Sequence, residues 1–338
     1  MRRPVTLADE LRARIRREGP LRFDRYMEAC LAAYYGRGPA IGPDGDFSTS
    51  VRFPAFRDAI ARLVERSGMP RVVELGAGTG ELARDIMGRG LGVEYVTVDA
   101  SPALRARQEA AGARAVASTR EIEPGPTLVF GNEVLDALHA RRIVGAEGTR
   151  RGRDSQDASS GPHELLEVHV GVDVAGRFVD RLLPCPDADV AARLREEEVW
   201  PARGQIFDLQ MGTEAFIAEA ARLADPGYLV LIDYGDVARA LFAPERLNGT
   251  LAAYRAHGKN HDWYDRVGEQ DITADVDWTA IALAAERAGM ETLGLVTQRR
   301  LLAALGVDED ELTNPARLGT AFQAYGARTP GLPSLPGF

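Results

Sequence analysis

The sequence predicts an α/β fold built on a parallel, doubly wound sheet, and three observations carry that prediction. Between residues 71 and 133, three short β-branched or apolar runs, "RVVEL", "VEYVTVD" and "TLVFGNE", close on glycine or polar residues. The first two pass directly into helical stretches, and the first crossing is the glycine-rich turn "LGAGTG". A later buried run, "YLVLIDYG", again ends in polar residues. Alternation of strand and helix at this spacing means parallel strands joined by crossover helices.

Each element has its own signal. "LADELRARIRREG" has apolar residues at helical spacing (Leu7, Leu11, Ile15) and stops at Gly19-Pro20. "RFDRYMEACLAAYYG" is a second amphipathic helix, and "FPAFRDAIARLVERSG" a third. Between them lies the turn-rich stretch "AIGPDGDFSTS". "ELARDIM" and "SPALRARQEAAG" are the helices that follow the first two core strands. Residues 145–163 are polar, charged and glycine-rich and read as an exposed loop. "ELLEVHVGVDV" and "GRFVDRLL" alternate on either side of "AG" and predict an antiparallel hairpin. "EAFIAEAARLA" and "DWTAIALAAERAGM" are helices, "ETLGLVTQ" is a strand, and the remainder is expected to be helical with a Pro-rich tail. The expected organisation is an N-terminal helical region over 1–68 and a core over 69–338 with insertions at about 145–210 and 236–275.

Composition removes several classes of function. The chain has 338 residues, 45% of them apolar, and a net charge of −9, so a packed core is expected and a general nucleic-acid or anionic-membrane surface is not. Lys259 is the only lysine, which we read as the codon bias of a GC-rich bacterial genome. Cys30 and Cys185 lack CxxC spacing, so no disulfide framework or zinc cluster is implied, and idle thiols in a reducing cytoplasm are expected. No run reaches the ~18 apolar residues of a membrane helix. The Arg-rich start carries Asp9, Glu10 and Glu18, which suits an amphipathic helix better than a transit peptide. The five histidines show no metal spacing, and no metal is expected.

The chemistry-bearing signals lie at strand ends. In "VVELGAGTG" the strand closes at Leu75, and Gly76, Ala77, Gly78 and Gly80 form a tight turn into a helix, where the backbone can approach a ligand and free N–H groups point outward. Glu74 precedes the turn, and Asp99, followed by Ala100, ends the second strand where a ribose-binding acid belongs. A nearby acid suits a cationic ligand and would repel pyrophosphate. Asn132, Glu133 and Asp136 start "NEVLD" at the carboxyl edge of the sheet. Glu133 and Asp136, at i and i+3, share a face if the chain turns helical there; the plain alternative is a helix N-cap with acids in its first turn. The same weighing applies to Asp46 in "GDFSTS", either a carboxylate near a reacting centre or an Asx turn.

Glu-x-Gly-x-Gly-x-Gly resembles motif I of methyltransferases that bind S-adenosyl-L-methionine. Over residues 21–300 the blocks "RYMEACLAAYYG", "GDFSTS", "VVELGAGTGELARDIM", "GNEVLDALHARR", "LVLIDYG", "GTLAAYRAH" and "GEQDITADVDWTAI" occur in an order that resembles the MidA-like methyltransferases, a family that includes the mitochondrial complex I assembly factor acting on a protein arginine. The resemblance implies a Rossmann-like methyltransferase core with an added helical and loop region over S-adenosyl-L-methionine. It associates Gly45, Asp46 and Phe47 with the active site, and we read their loop as a lid. It further implies a catalytic role for Asp46, Glu133 and Asp136, and cofactor contacts from Gly45, Phe47, Glu74, Gly76, Ala77, Gly78, Gly80, Asp99, Ala100 and Asn132. Three blocks depart from the family: Val51-Arg52 replaces Pro-Glu, His139 stands where Pro is usual, and Asp275 replaces a histidine. They leave the methyl acceptor open between a protein or peptide and a small specialised metabolite. A non-catalytic assembly factor that binds the cofactor only as structure is a further alternative. Homo-oligomerisation is open as well.

Overall fold

The computed structural model describes residues 5–38, 41, 46, 49–146, 165–314 and 321–338. Gly45 and Phe47, and almost all of the loop expected over 145–163, lie outside the described residues.

The helices begin where local chemistry starts them. Helix α1 (Leu7–Glu18) carries a capping box between Thr6 and Asp9, and Gly19 ends it. Helix α2 spans Phe23–Gly36. Pro54 opens α3 (Pro54–Ser67), and Gly68, left-handed at φ 64°, closes it. In α5 (Pro102–Ala110), which follows α4 (Glu81–Gly88), Ser101 caps the first turn. Then come α6 (Ala188–Glu196), α7 (Thr213–Leu223), α8 (Ala238–Leu241), α9 (Trp278–Arg287), α10 (Gln298–Ala304) and α11 (Asp310–Thr313).

The central sheet contains β1 (Arg71–Leu75), β2 (Glu94–Val98), β3 (Arg114–Val116), β4 (Thr127–Asn132), β5 (Gly227–Asp236), β6 (Glu291–Thr297) and β7 (Phe322–Arg328). Their spatial order is β6-β7-β5-β4-β1-β2-β3. Every strand runs parallel except β7, which is antiparallel to both of its neighbours. The strands expected from the sequence at β1, β2, β4, β5 and β6 are present. Strand β7 corrects the expectation that the chain after β6 is helical. In "FQAYGAR" the small residues Ala324, Gly326 and Ala327 carry little strand signal, yet the segment is buried on both faces between two strands.

Side chains alternate across this sheet. Val72, Leu128, Phe130, Val230 and Ile232 pack under Phe56, Ile60, Leu63, Leu82, Ile86 and Leu301 from α3, α4 and α10. Val73, Val129, Leu229 and Leu231 face Ile217, Leu223, Trp278 and Ile281 from α7 and α9. Burial on both faces is what makes these strands continuous apolar runs, each large side chain contributing about 1.5–3 kcal/mol.

The chain leaves the sheet after β4 to build a second one. Strands Ala140–Gly145, Leu165–Val172, Phe178–Pro184 and Ile206–Gln210, with Leu21–Arg22, form a five-stranded sheet against α1 and α2. The expected hairpin is there, paired from Leu166↔Pro184 to Val172↔Phe178. A third unit was not foreseen: a ribbon of Ala252–Arg255, Gly258–Asn260 and Asp271–Thr273. Its tip is a two-residue turn in which Ala256 (φ 47°) and His257 (φ 60°) are both left-handed. Asn-Gly is preferred in such turns, and for other residues this conformation costs roughly 1–2 kcal/mol each.

Buried ion pairs lock the second sheet. Arg141 bonds both Glu167 oxygens at 2.7 Å. Asp208 accepts from Arg142 Nε (3.0 Å) and from the N–H groups of Thr250 (2.7 Å) and Leu251 (3.0 Å), tying three segments together. Replacing Asp208 by Ala strands the buried Arg142 guanidinium, so Asp208→Ala is expected to lower stability by about 3–5 kcal/mol in denaturant titration. The Arg142→Leu/Asp208→Leu double variant is expected to recover much of that loss.

Candidate active site at the carboxyl edge of the central sheet

Strands β1, β2, β4 and β5 end together, and the turns that follow them form one cleft. After β1, Gly76 (φ 69°), Gly78 (φ 52°) and Gly80 (φ 78°) are left-handed, which explains their spacing. A side chain at Gly76 would stand 2.6 Å from the Val134 methyl group, so the glycine turn and the turn after β4 touch. Gln108 on α5 links the turn to β2: its Nε2 donates to Gly78 O at 2.9 Å and to Asp99 Oδ2 at 3.1 Å. Asp99 also accepts from the Ser101 N–H at 2.8 Å, and burial raises its carboxyl above the usual range. Ala100, beside it, is exposed. Glu74 is buried within β1 and accepts the Tyr95 hydroxyl at 2.9 Å; burial pushes it up to about 7.

The turn after β4 departs from expectation. Glu133 is left-handed (φ 53°), which breaks the strand, and no helix follows before strand Ala140–Gly145. Asp233, fully buried near the end of β5, organises the turn instead. Its Oδ2 accepts the N–H groups of Val134 (3.1 Å), Leu135 (2.9 Å) and Asp136 (3.2 Å), and its Oδ1 that of Tyr234 (2.9 Å). Burial, with the charges of Asp136 and Glu133, pushes the Asp233 carboxyl up, and these backbone bonds pull against them. Glu133 and Asp136 thus reach one cleft through a carboxylate-bound turn rather than a helix face.

Around that turn the acids collect. Glu133 Oε1 accepts the Ser50 N–H (2.8 Å) and Asn132 Nδ2 (2.9 Å), and burial raises Glu133 to about 7. Asp136 Oδ2 accepts the Tyr234 hydroxyl at 2.6 Å, and burial raises Asp136 to about 6. Asp271, on the ribbon, accepts the Tyr35 hydroxyl at 3.1 Å; burial, reinforced by the charge of Asp136, lifts it to about 8. Asp46 accepts the Tyr34 hydroxyl at 3.0 Å and the Ala256 N–H at 2.9 Å. Among the described residues, no Arg, Lys or His side chain forms an ion pair or hydrogen bond with Glu133, Asp136, Asp233 or Asp271. Sequence reasoning missed Asp233, Tyr234, Asp271, Tyr34, Tyr35 and Gln108. The one available signal was the polar close of "LVLIDYG". Asp271 looked like an ordinary acid in a loop. Asp277, six residues on, caps α9 through the N–H groups of Thr279 and Ala280.

The sequence matches, over residues 59–296, the model of a family described as "Putative S-adenosyl-L-methionine-dependent methyltransferase". The chain is also similar to a Burkholderia thailandensis protein described as a "likely methyl transferase" and bound to S-adenosyl-homocysteine, with 29% identity and a TM-score of 0.84 over 98% of this chain and 93% of that one. A native structure of an uncharacterized protein of the same organism gives 29% identity and a TM-score of 0.82 over the same shares. No curated protein matches. No helix among the described residues is long and apolar enough to cross a membrane. The family match covers more than half of the chain, and the chain belongs to this family of S-adenosyl-L-methionine-dependent methyltransferases.

The cleft suits that cofactor. Two buried acceptors at its wall, Gln108 Oε1 and Asn132 Oδ1, have no partner among the described residues, and the acids Glu74 and Asp99 flank a turn open to close backbone approach. The acids also set a pH dependence. A carboxyl raised in the folded state stabilises the fold at low pH and loses that contribution as pH rises through its folded value. Between pH 5 and pH 8 the cofactor-free wild type is therefore expected to lose stability relative to Asp271→Asn, by up to about 1.4 kcal/mol per pH unit, in thermal melts.

Proposed function

We propose that this chain methylates a nitrogen of a positively charged acceptor, an arginine side chain of a protein or peptide, and that it stands beside the MidA-like enzymes within its family. One observation carries the proposal: Glu133, Asp136 and Asp271 gather in the cleft with no basic side chain bonded to them among the described residues. Buried carboxylates without a cation are costly, and a cationic ligand resolves that cost.

S-adenosyl-L-methionine supplies, when bound, a methyl group on a sulfonium sulfur. The glycine turn Gly76–Gly80 with Ala77, together with Asp99, Ala100 and Asn132, would hold it, and Glu74 supports that turn from inside β1. On the acceptor side, two carboxylates presented by one rigid turn can orient a guanidinium through charge-assisted bonds. Methyl transfer to a cationic nitrogen also needs a route for the departing proton. Glu133 and Asp136, raised to about 7 and about 6, suit a proton acceptor near neutral pH. The Tyr234 hydroxyl fixes Asp136 for that role.

The test is transfer of tritium from methyl-labelled S-adenosyl-L-methionine to arginine-containing peptides and, in parallel, to a small-metabolite extract. Label in the metabolite fraction alone would move the acceptor class to a small molecule; no transfer to either, despite cofactor binding, would favour the non-catalytic alternative. Asp136→Asn is expected to reduce turnover ~10²–10⁴-fold with little change in cofactor affinity. Asp99→Ala is expected to weaken the cofactor first, by calorimetry. Binding of NAD in place of S-adenosyl-L-methionine would overturn the reading.

A further inference from the structure

The two faces of the ribbon differ in character. Ala253 and Ile272 stand opposite each other and are buried in the core shared with α1 and α2. The alternate positions form a row across all three strands: Lys259 is opposite Tyr254, and Tyr254 is opposite Asp271. Residues directly opposite in antiparallel strands share a face, so these three side chains leave the ribbon on the same side. That side is the cleft. Asp271 meets the Tyr35 hydroxyl there, and burial, then the charges of Asp275, Asp136 and Asp271, raise the Tyr254 phenol.

The row grades from the interior to the solvent. Asp271 is buried, Tyr254 half-buried and Lys259 exposed. Two strand spacings, about 10 Å, separate the backbones at its ends. The lysine does not simply extend into water. Its Nζ lies 5.9 Å from the centre of the Tyr254 ring, a cation–π contact that folds the ammonium back along the row. Among the described residues no carboxylate pairs with it. Asp275 is raised by burial and lowered by Arg246 and Lys259, and it is Arg246 that bonds it, at 3.3 Å. The acids of the cleft attract a cationic acceptor, and an ammonium at the end of the row works against them. The conflict disappears if the acceptor carries an anion of its own at that distance.

We propose that Lys259 and Tyr254 form an anion subsite beside the acid cluster, so that the preferred acceptor is amphoteric: a guanidinium held by Asp271 and Asp136 and, within about 10 Å of it, a carboxylate held by Lys259. The inference rests on the acceptor reading given above. The carboxylate is either the arginine's own α-carboxylate at a chain end or an acidic side chain beside the arginine.

The measurement uses the full chain and three matched arginine peptides: one neutral-capped, one with an aspartate two residues from the arginine, and one ending in arginine with its α-carboxylate free. Methyl transfer gives KM and kcat, and calorimetry in the presence of S-adenosyl-homocysteine gives Kd without turnover. A carboxylate peptide is expected to show KM and Kd about five-fold below the neutral one, the size of an exposed charge pair, with similar kcat. That advantage should shrink as salt is raised to about 0.5 M. Lys259→Gln should raise the KM of the carboxylate peptide to that of the neutral one, Lys259→Arg should retain the advantage, and Lys259→Glu should reverse it. Lys259 is exposed, so these variants should melt with the wild type. Preference for the free α-carboxylate assigns a terminal or free arginine, and preference for the aspartate an acidic neighbour; either or both supports the subsite. Equal affinities for all three peptides in the wild type, or a preference that survives Lys259→Gln, overturns it. Absence of both transfer and binding with every peptide overturns the acceptor reading and the subsite with it, a result distinguished because no variant is needed to see it.

Discussion

The cleft depends on one buried carboxylate. Asp233 gathers the N–H groups of Val134, Leu135 and Asp136 on a single oxygen. Peptide groups that converge this way inside a protein need a strong acceptor, and the fully buried Asp233 carboxylate supplies it to a turn whose Leu135 and Asp136 are themselves buried. The consequence spreads outward. The turn places Val134 against Gly76, so the shape of the glycine turn is set partly from the neighbouring strand. It aims Glu133 at Ser50 and Asp136 at Tyr234. It also lets the Asp136 carbonyl accept the Ala274 N–H at 3.0 Å, which brings the Asp271–Thr273 strand alongside. Three stretches distant in sequence meet because one side chain settles the backbone between them.

That arrangement runs against stability. Burial raises Glu133, Asp136, Asp233 and Asp271, and the charges of neighbouring acids raise each of them further. The rest of the fold follows the opposite rule. Arg141 meets Glu167, Arg142 meets Asp208, and Arg193 bonds both Glu197 and Asp277. In these pairs buried charge is compensated, whereas among the described residues no basic side chain is bonded to the acids of the cleft. Such local conflicts with otherwise consistent structure are characteristic of working sites.

The legible part of this protein was the part governed by periodicity. The inner strands β1, β4 and β5 are rich in apolar residues because both faces are covered, the more exposed β2 and β6 keep enough β-branched residues to read as strands, and the glycines of "LGAGTG" mark left-handed backbone directly. Strand β7 was hidden because alanine and glycine fill its places, and the ribbon because its strands are only three or four residues long. Glu133 and Asp136 were recognised as cleft residues, but their spacing suggested a helix. The competing structure needs an acid from β5, some 100 residues later, and no local pattern contains it. Asp271 and the two tyrosines at the end of α2 were illegible for the same reason: each is ordinary in its own segment and informative only beside the other.

The place of β7 has a consequence for the order in which the chain can assemble. β6 precedes β7 in sequence, yet lies beyond it in space, with β7 hydrogen-bonded to β5 on one side and to β6 on the other. As the polypeptide emerges, β5, β4, β1, β2 and β3 can pair as soon as Asp236 is made. β6 cannot join them until residues 322–328 exist to bridge the gap. Until then β5 offers an unpaired edge, and the α3, α4 and α10 layer lacks Ala324 and Phe322 from its floor. Gln298, which holds Ser50 at the mouth of the cleft, sits directly after β6. The mouth of the cleft is therefore completed only once β7 has been made, so a chain that stops before residue 322 carries the glycine turn and the acids without the wall that completes them.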